Sequence, residues 1–288
     1  IKYLDPYISF ESEDIIKKRM VEVFEGYEHD GNVLKKKHIE NAVKKAWEKE
    51  QEYHDAIRSK GKELINLVEK EDKKAIVLAG RPYHIDPEIN HGIADLIESM
   101  DLPVLSEDAV AYNVGDLDSK LRVLDQWSYH ARLYRSAEYV AGHKNLELVQ
   151  LNSFGCGLDA VTTDQVEDIL KASGKIYTLL KIDEISNLGA VKIRLRSLLE
   201  ALKEKEEEGI VFETRDLDEE LKATPFTKEM RKEGYTILAP QMARDHFKIM
   251  EGAFKDTPYN IEFLNTIDKD VINEGLKYVN NDSCYPSI

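Results

Sequence analysis

The chain has 288 residues, 42% hydrophobic and 33% charged, enough apolar material for one large core or two modest ones and too much for a disordered tail. Its 55 acidic against 40 basic residues leave a formal charge of −15; that field repels phosphate backbones and makes nucleic acid an unexpected partner. No stretch approaches the roughly 18 to 20 apolar residues of a membrane span, and the start Ile1-Lys2-Tyr3-Leu4-Asp5-Pro6 lacks a basic-then-apolar signal, so a cytoplasmic chain with no membrane partner is expected.

Residues 3–7 are turn-rich. Residues 12–24 and 35–69 then carry charged, helix-forming sequence with apolar residues every three or four positions, Ile57, Leu64 and Val68 among them, which predicts two helices, the second one long. The charged run over 69–74 gives way to Ala75-Ile76-Val77-Leu78-Ala79, an apolar burst ended by Gly80, as expected of a strand buried on both faces. A loop follows, then a helix near 88–100, a short strand at Pro103-Val104-Leu105 and helical sequence over about 117–141. The β-type runs 146–151 and 175–182 bracket a helix over about 163–172 that Gly174 ends. Strands alternating with helices imply an α/β fold with a parallel sheet, built of Rossmann-like or flavodoxin-like units behind an N-terminal helical segment.

A helix over 190–208 finishes in alternating charges that suit a domain connector, and Gly209 breaks it. Two further strands, 235–240 and 259–264, have a helix between them and another over 269–279 behind them. The division expected is a helical segment 1–72, an α/β domain 73–208 and a second, incomplete α/β domain 209–288. The polar ending over 280–288 predicts that the chain is a piece of a longer polypeptide.

In doubly wound folds, ligands collect where loops at the carboxyl ends of parallel strands meet helix amino termini. Three unusual loops fall at such ends: Gly80-Arg81-Pro82-Tyr83-His84-Ile85-Asp86-Pro87, Asn152-Ser153-Phe154-Gly155-Cys156-Gly157 and Lys181-Ile182-Asp183-Glu184. Cys156, between two glycines that let backbone N–H groups approach its sulfur, suits a thiolate ligand or nucleophile; the alternative is a small buried residue in a tight turn. Cys284 precedes Tyr285-Pro286 in a second polar loop. Two cysteines are too few for a disulfide framework, and these are too distant in sequence for a local zinc clip.

His84, Asp86, Asn90 and His91 crowd one segment. They suit a metal or phosphate site, or a helix start with Asp86 as cap and Pro87 in the first turn, and the capping pattern favours the helix start. Trp127, His130 and Tyr134 can share a helix face. Trp127 is expected in the core, whereas Tyr129 and His130 could donate to an anion or cluster. Among the basic residues, Arg81 is singled out by its strand-end position, and Lys192, Arg194 and Arg196 read as solvated. Neither a phosphate loop nor a Gly-x-Gly-x-x-Gly turn is present in the sequence, so ATP hydrolysis and NAD binding by those routes are not expected.

Taken in order, Val77-Leu78-Ala79-Gly80-Arg81-Pro82-Tyr83-His84-Ile85-Asp86-Pro87, Asn152-Ser153-Phe154-Gly155-Cys156-Gly157-Leu158-Asp159-Ala160-Val161, Leu180-Lys181-Ile182-Asp183-Glu184 and Asn281-Asp282-Ser283-Cys284-Tyr285-Pro286 resemble the 2-hydroxyacyl-CoA dehydratase superfamily. The form resembled is the long activase-related one that includes double-cubane iron–sulfur proteins. The resemblance implies an anaerobic, oxygen-sensitive iron–sulfur component. It would take electrons from an ATP-hydrolysing activase, separate or fused, for a difficult reduction or for dehydration of a 2-hydroxyacyl-CoA.

The resemblance maps cluster-binding thiolates onto Cys156 and Cys284. With a cluster there, backbone N–H groups at Gly155 and Gly157 would tune its potential, and Arg81 and His84, in the loop at the end of the first strand, are the other cofactor-binding candidates. A cubane takes about four ligands and the chain holds two cysteines, so the cluster belongs to the intact protein and the fragment alone is expected to be inactive. Two other readings stay open: a non-redox docking or regulatory module for an activase, and a metal-free acyl-CoA-binding enzyme that uses Arg81 for a phosphate. Homodimerisation is open in each.

Overall fold

The computed structural model describes residues 3–29, 31–118, 120–153, 157–182, 188–209, 224–266 and 268–279. The chain divides into two compact units, Ile1–Leu67 and Val68–Ile288.

The first unit opens with helix α1 (Glu13–Phe24), capped by the Ser12 hydroxyl, which accepts from the Ile15 N–H at 3.4 Å. A two-residue hairpin follows, β1 (Glu28–His29) against β2 (Asn32–Val33). Its turn contains Gly31 at φ +75°, a left-handed conformation that glycine adopts at little cost. The sequence pattern gives no sign of this hairpin, because strands of two residues carry no periodicity to detect. Helix α2 (Lys36–Lys70) begins in this unit and bears Lys-to-Glu pairs one turn apart, Lys36 with Glu40 and Lys44 with Glu48. Each pair stabilises the exposed helix by only about 0.3–0.5 kcal/mol.

In the second unit the chain runs through β3 (Ala75–Ala79), a 3-10 turn over Pro82–Ile85, α3 (Pro87–Asn90), α4 (Ile93–Glu98), β4 (Val104–Ser106), α5 (Asp108–Ala111), α6 (Ser128–Ala141), β5 (Leu146–Ser153), α7 (Gly157–Ala172), β6 (Thr178–Ile182) and α8 (Leu188–Glu208). All pairings in the four-stranded sheet are parallel, and the order is β4-β3-β5-β6. Numbered from its first strand the order is 2-1-3-4, that of flavodoxin-like sheets over four strands. The α/β class expected from the sequence is therefore the one observed. All five residues of β3 are buried, as its uninterrupted apolar run requires of a central strand.

On one sheet face Ile76, Leu78, Val149, Leu151, Leu180 and Ile182 pack with Ile93 and Ile97 of α4 and Leu195 and Leu198 of α8. By strand alternation Val77, Leu148, Gln150 and Asn152 face the other way, the side on which α6 meets β3 and β5. At the amino-terminal edge the buried Glu147 is paired with Lys175 at 3.3 Å and Lys74 at 3.7 Å, and Lys175 also donates to the Leu146 and His143 carbonyls at 2.7 and 2.8 Å.

Two expectations need correction. The single helix expected over 88–100 is two, because His91 (φ +54°) and Gly92 (φ +77°) both take left-handed backbone between α3 and α4. The helix expected over 117–141 starts only at Ser128. Upstream, the Arg122 N–H donates to the Gln165 side chain instead of a carbonyl one turn back, and the Arg122 guanidinium pairs with Asp168 at 2.5 Å, so α7 holds this segment in an open conformation.

Beyond residue 223 come α9 (Lys228–Lys232), β7 (Thr236–Pro240), α10 (Arg244–Phe254), β8 (Asn260–Leu264) and α11 (Lys269–Gly275). Strands β7 and β8 pair in parallel across α10. No described residue from 224 to 279 is buried.

Candidate functional site at the switch point of the sheet

From β3 the chain first builds outward to β4 and then crosses back to add β5 on the other side. The carboxyl ends of β3 and β5 thus border the switch point, where loops diverge and leave a crevice. Arg81 and His84 follow β3, Ser153 ends β5, and Asp159 lies just beyond it in the first turn of α7.

His84 is only 2% exposed. Its Nδ1 accepts the Arg81 N–H at 2.9 Å, and its Nε2 lies 3.1 Å from the Ser153 Oγ. An accepting Nδ1 puts the proton on Nε2, which therefore donates to Ser153. The Tyr83 hydroxyl lies 3.0 Å from the same Oγ, and the Tyr83 ring stands edge-on to His84 with centroids 4.5 Å apart. Burial lowers the His84 pKa from 6.5 to about 4, opposed by Asp159 and reinforced by Arg81. A neutral ring with its lone pair engaged cannot take a proton from Ser153, so the two do not form a hydrolytic dyad. Gly80 makes the fit possible: a Cβ there would lie 2.4 Å from His84 Nδ1.

Arg81 donates from Nε and Nη2 to Asp159 Oδ1 at 3.0 and 2.7 Å, and the Asp159 side chain is 7% exposed. This pair links the two sides of the switch point and engages the guanidinium that the sequence offered to a phosphate. The remaining members of the His84–His91 segment have structural roles: the Asp86 carboxylate caps α3 by accepting from the Glu88 N–H at 2.9 Å, and Pro87 opens the helix. The Asn90 side chain donates to the His84 carbonyl at 3.1 Å and accepts from the Gly92 N–H at 2.9 Å. The favoured helix-start reading is the one observed.

His130, in the first turn of α6, is 8% exposed, and neither ring nitrogen has a hydrogen-bond partner among the described residues. Desolvation lowers its pKa, and both Arg81 and Asp159 act on it electrostatically. The Trp127 ring stands edge-on to it at 5.6 Å. Trp127 itself is 42% exposed at the N-cap position, not in the core as expected; Tyr134, one turn beyond His130, is the core residue of that face. Tyr129 is exposed, with the Arg132 guanidinium over its ring. Above β4, the buried Glu107 pairs with Arg132, and burial raises its carboxyl pKa.

Gly157 is the first residue of α7. Gly155, Cys156 and Cys284 lie outside the described residues, as does the loop over 183–187. Lys192 and Arg196 are exposed, and Arg194 donates to the Leu179 carbonyl at 3.0 Å, in keeping with solvated helix positions. Among the described residues no group of three His, Cys, Asp or Glu side chains is set to hold a metal, and no helix is long and apolar enough to cross a membrane.

Residues 1–110 match the family model described as the CoA enzyme activase uncharacterised domain. This part of the chain is thus similar to an activase-related domain. The matched stretch includes Gly80, Arg81 and His84 and stops short of Ser153 and Asp159. No curated protein and no solved structure matches the chain.

Sequence reasoning singled out Arg81 and His84, and offered His130 as a donor to an anion or cluster, but it missed Ser153 and Asp159. The usable signal for Asp159 was its place in the first turn of the helix after β5, opposite an arginine at the end of the neighbouring strand.

Proposed function

We propose that this chain is part of an iron–sulfur protein of the 2-hydroxyacyl-CoA dehydratase and activase-related family. In that reading it receives electrons from an ATP-hydrolysing activase and serves low-potential electron transfer to a difficult reduction or to 2-hydroxyacyl-CoA dehydration. The observation that carries the reading is the activase-related match over residues 1–110, which supplies β3 and its Gly80-Arg81 turn. In the sequence, Cys156 falls among the three residues that separate Ser153, the last of β5, from Gly157, the first of α7.

The fit to a cluster is incomplete. A cubane takes about four ligands, and the chain has two cysteines, Cys156 and Cys284. In this reading the remaining ligands belong to parts of the intact protein beyond these 288 residues.

A second reading, a docking module for an activase, is favoured by the β7–β8 unit. A parallel strand pair is normally covered on both faces, yet Leu238 is 58% and Ile249 73% exposed. The two readings part in one experiment: anaerobic incubation of the intact protein with an activase, MgATP and a reductant, followed by electron paramagnetic resonance. An ATP-dependent signal from a reduced cluster supports electron transfer. Stable complex formation with no such signal supports docking alone.

A further inference from the structure

His130 is the third residue of α6, a 14-residue helix whose N-cap, Trp127, makes no side-chain capping bond. Backbone bonding in this helix starts with the Ala131 N–H donating to the Trp127 carbonyl at 2.8 Å, so the N–H groups of Ser128, Tyr129 and His130 precede the ladder. Such groups, at the positive end of a helix, favour oxygen anions. Because α6 leads into β5, it runs opposite to the strands and begins at their carboxyl ends, beside the switch point.

A helix start alone would say little, and the ring adds a second, independent observation. Buried polar groups are normally paired, and one left unpaired is destabilising. His130 leaves both nitrogens unpaired at 8% exposure, with the Trp127 ring as one wall and the Arg81–Asp159 pair close enough to act on it. A neutral imidazole offers one N–H donor and one acceptor nitrogen. Asn152, also 8% exposed at the carboxyl end of β5 and on the sheet face that α6 covers, leaves its Oδ1 without a partner. The donors thus gather in the first turn of α6, and unsatisfied acceptors lie at the same end of the same sheet face.

We propose that the first turn of α6 and the His130 ring form a binding place for a small oxyanion, a phosphate or carboxylate group held by helix N–H groups and the ring N–H. A phosphate that retains a proton has, in addition, a donor for an acceptor such as the second ring nitrogen or Asn152 Oδ1, which sulfate and acetate lack. The site needs no iron, and its test has no iron readout, so it stands or falls separately from the electron-transfer reading.

The test uses the full chain labelled with nitrogen-15 at histidine, titrated at neutral pH and constant ionic strength with inorganic phosphate, sulfate and acetate. A saturable shift of the His130 ring signals is expected, assigned by their loss in His130→Gln. Binding followed by thermal shift should be about tenfold weaker in that variant, the effect of one lost hydrogen bond to a charged group. Ser128→Pro supplies an independent check: proline is tolerated at the first helical position and the extended Trp127 backbone accepts a following proline, so the variant should fold with one donor fewer and bind more weakly. Response to phosphate alone assigns a protonated phosphate group, and response to all three assigns a general oxyanion site. No saturable shift with any of them, or equal binding by wild type and both variants, overturns the proposal.

Discussion

Acidification should weaken the sheet unit through His84 in a defined window. The ring is neutral in the folded protein, its pKa lowered from 6.5 to about 4. Because the folded value is the lower one, the contribution is fully present above the unfolded pKa. It begins to be lost as pH falls below about 6.5 and is gone once pH has passed the folded value near 4. At about 1.4 kcal/mol per pKa unit, the loss is on the order of 2–3 kcal/mol after allowance for residual hydration. The comparison protein is His84→Asn, whose amide oxygen can still accept the Arg81 N–H but does not titrate. Urea unfolding at a series of pH values from 7 down to about 4 gives the two stability profiles. His130, also lowered by burial, contributes in the same direction to both proteins and cancels in the difference. Wild type should lose about 2–3 kcal/mol more than His84→Asn over this range; parallel profiles would refute the assignment of a buried, neutral His84.

Gly80→Ala should destabilise the unit by about 1–3 kcal/mol in urea unfolding and abolish the His84 pH effect, because the new Cβ would displace a ring held from two sides. In a double-mutant cycle, Arg81→Ala and Asp159→Asn should each destabilise, with a coupling of about 1–3 kcal/mol, and additive effects would mean that the pair across the switch point is not formed. At the opposite edge of the sheet, Lys175→Met should lose about 2–4 kcal/mol by leaving the buried Glu147 carboxylate poorly compensated, and adding Glu147→Leu should recover much of it.

What could be read in the sequence was whatever local pattern determines. Five consecutive apolar residues closed by Gly80 marked the central strand, the Asp86-Pro87 pair marked a helix start, and the alternation of strands with helices marked the parallel sheet. The strand order could not be read, since it depends on which buried edges meet in three dimensions. The stretch before Ser128 departs from expectation for a similar reason: its composition suits a helix, but its backbone and guanidinium groups find partners on α7 more than 40 positions along the chain. At the site, a strand-end position pointed to Arg81 and His84. Their partners Asp159 and Ser153 lie 78 and 69 residues away, and no local signal connects such distances. Trp127 was expected in the core on hydrophobicity alone, whereas as the residue before a helix start it is half in solvent.

The measurement closest to the central claim is iron and acid-labile sulfide analysis of the anaerobically purified intact protein, with paramagnetic resonance, for wild type, Cys156→Ser and Cys284→Ser. The account predicts bound iron and sulfide in wild type and loss of cluster in either variant. Iron absent from wild type, or unchanged in both variants, would contradict it.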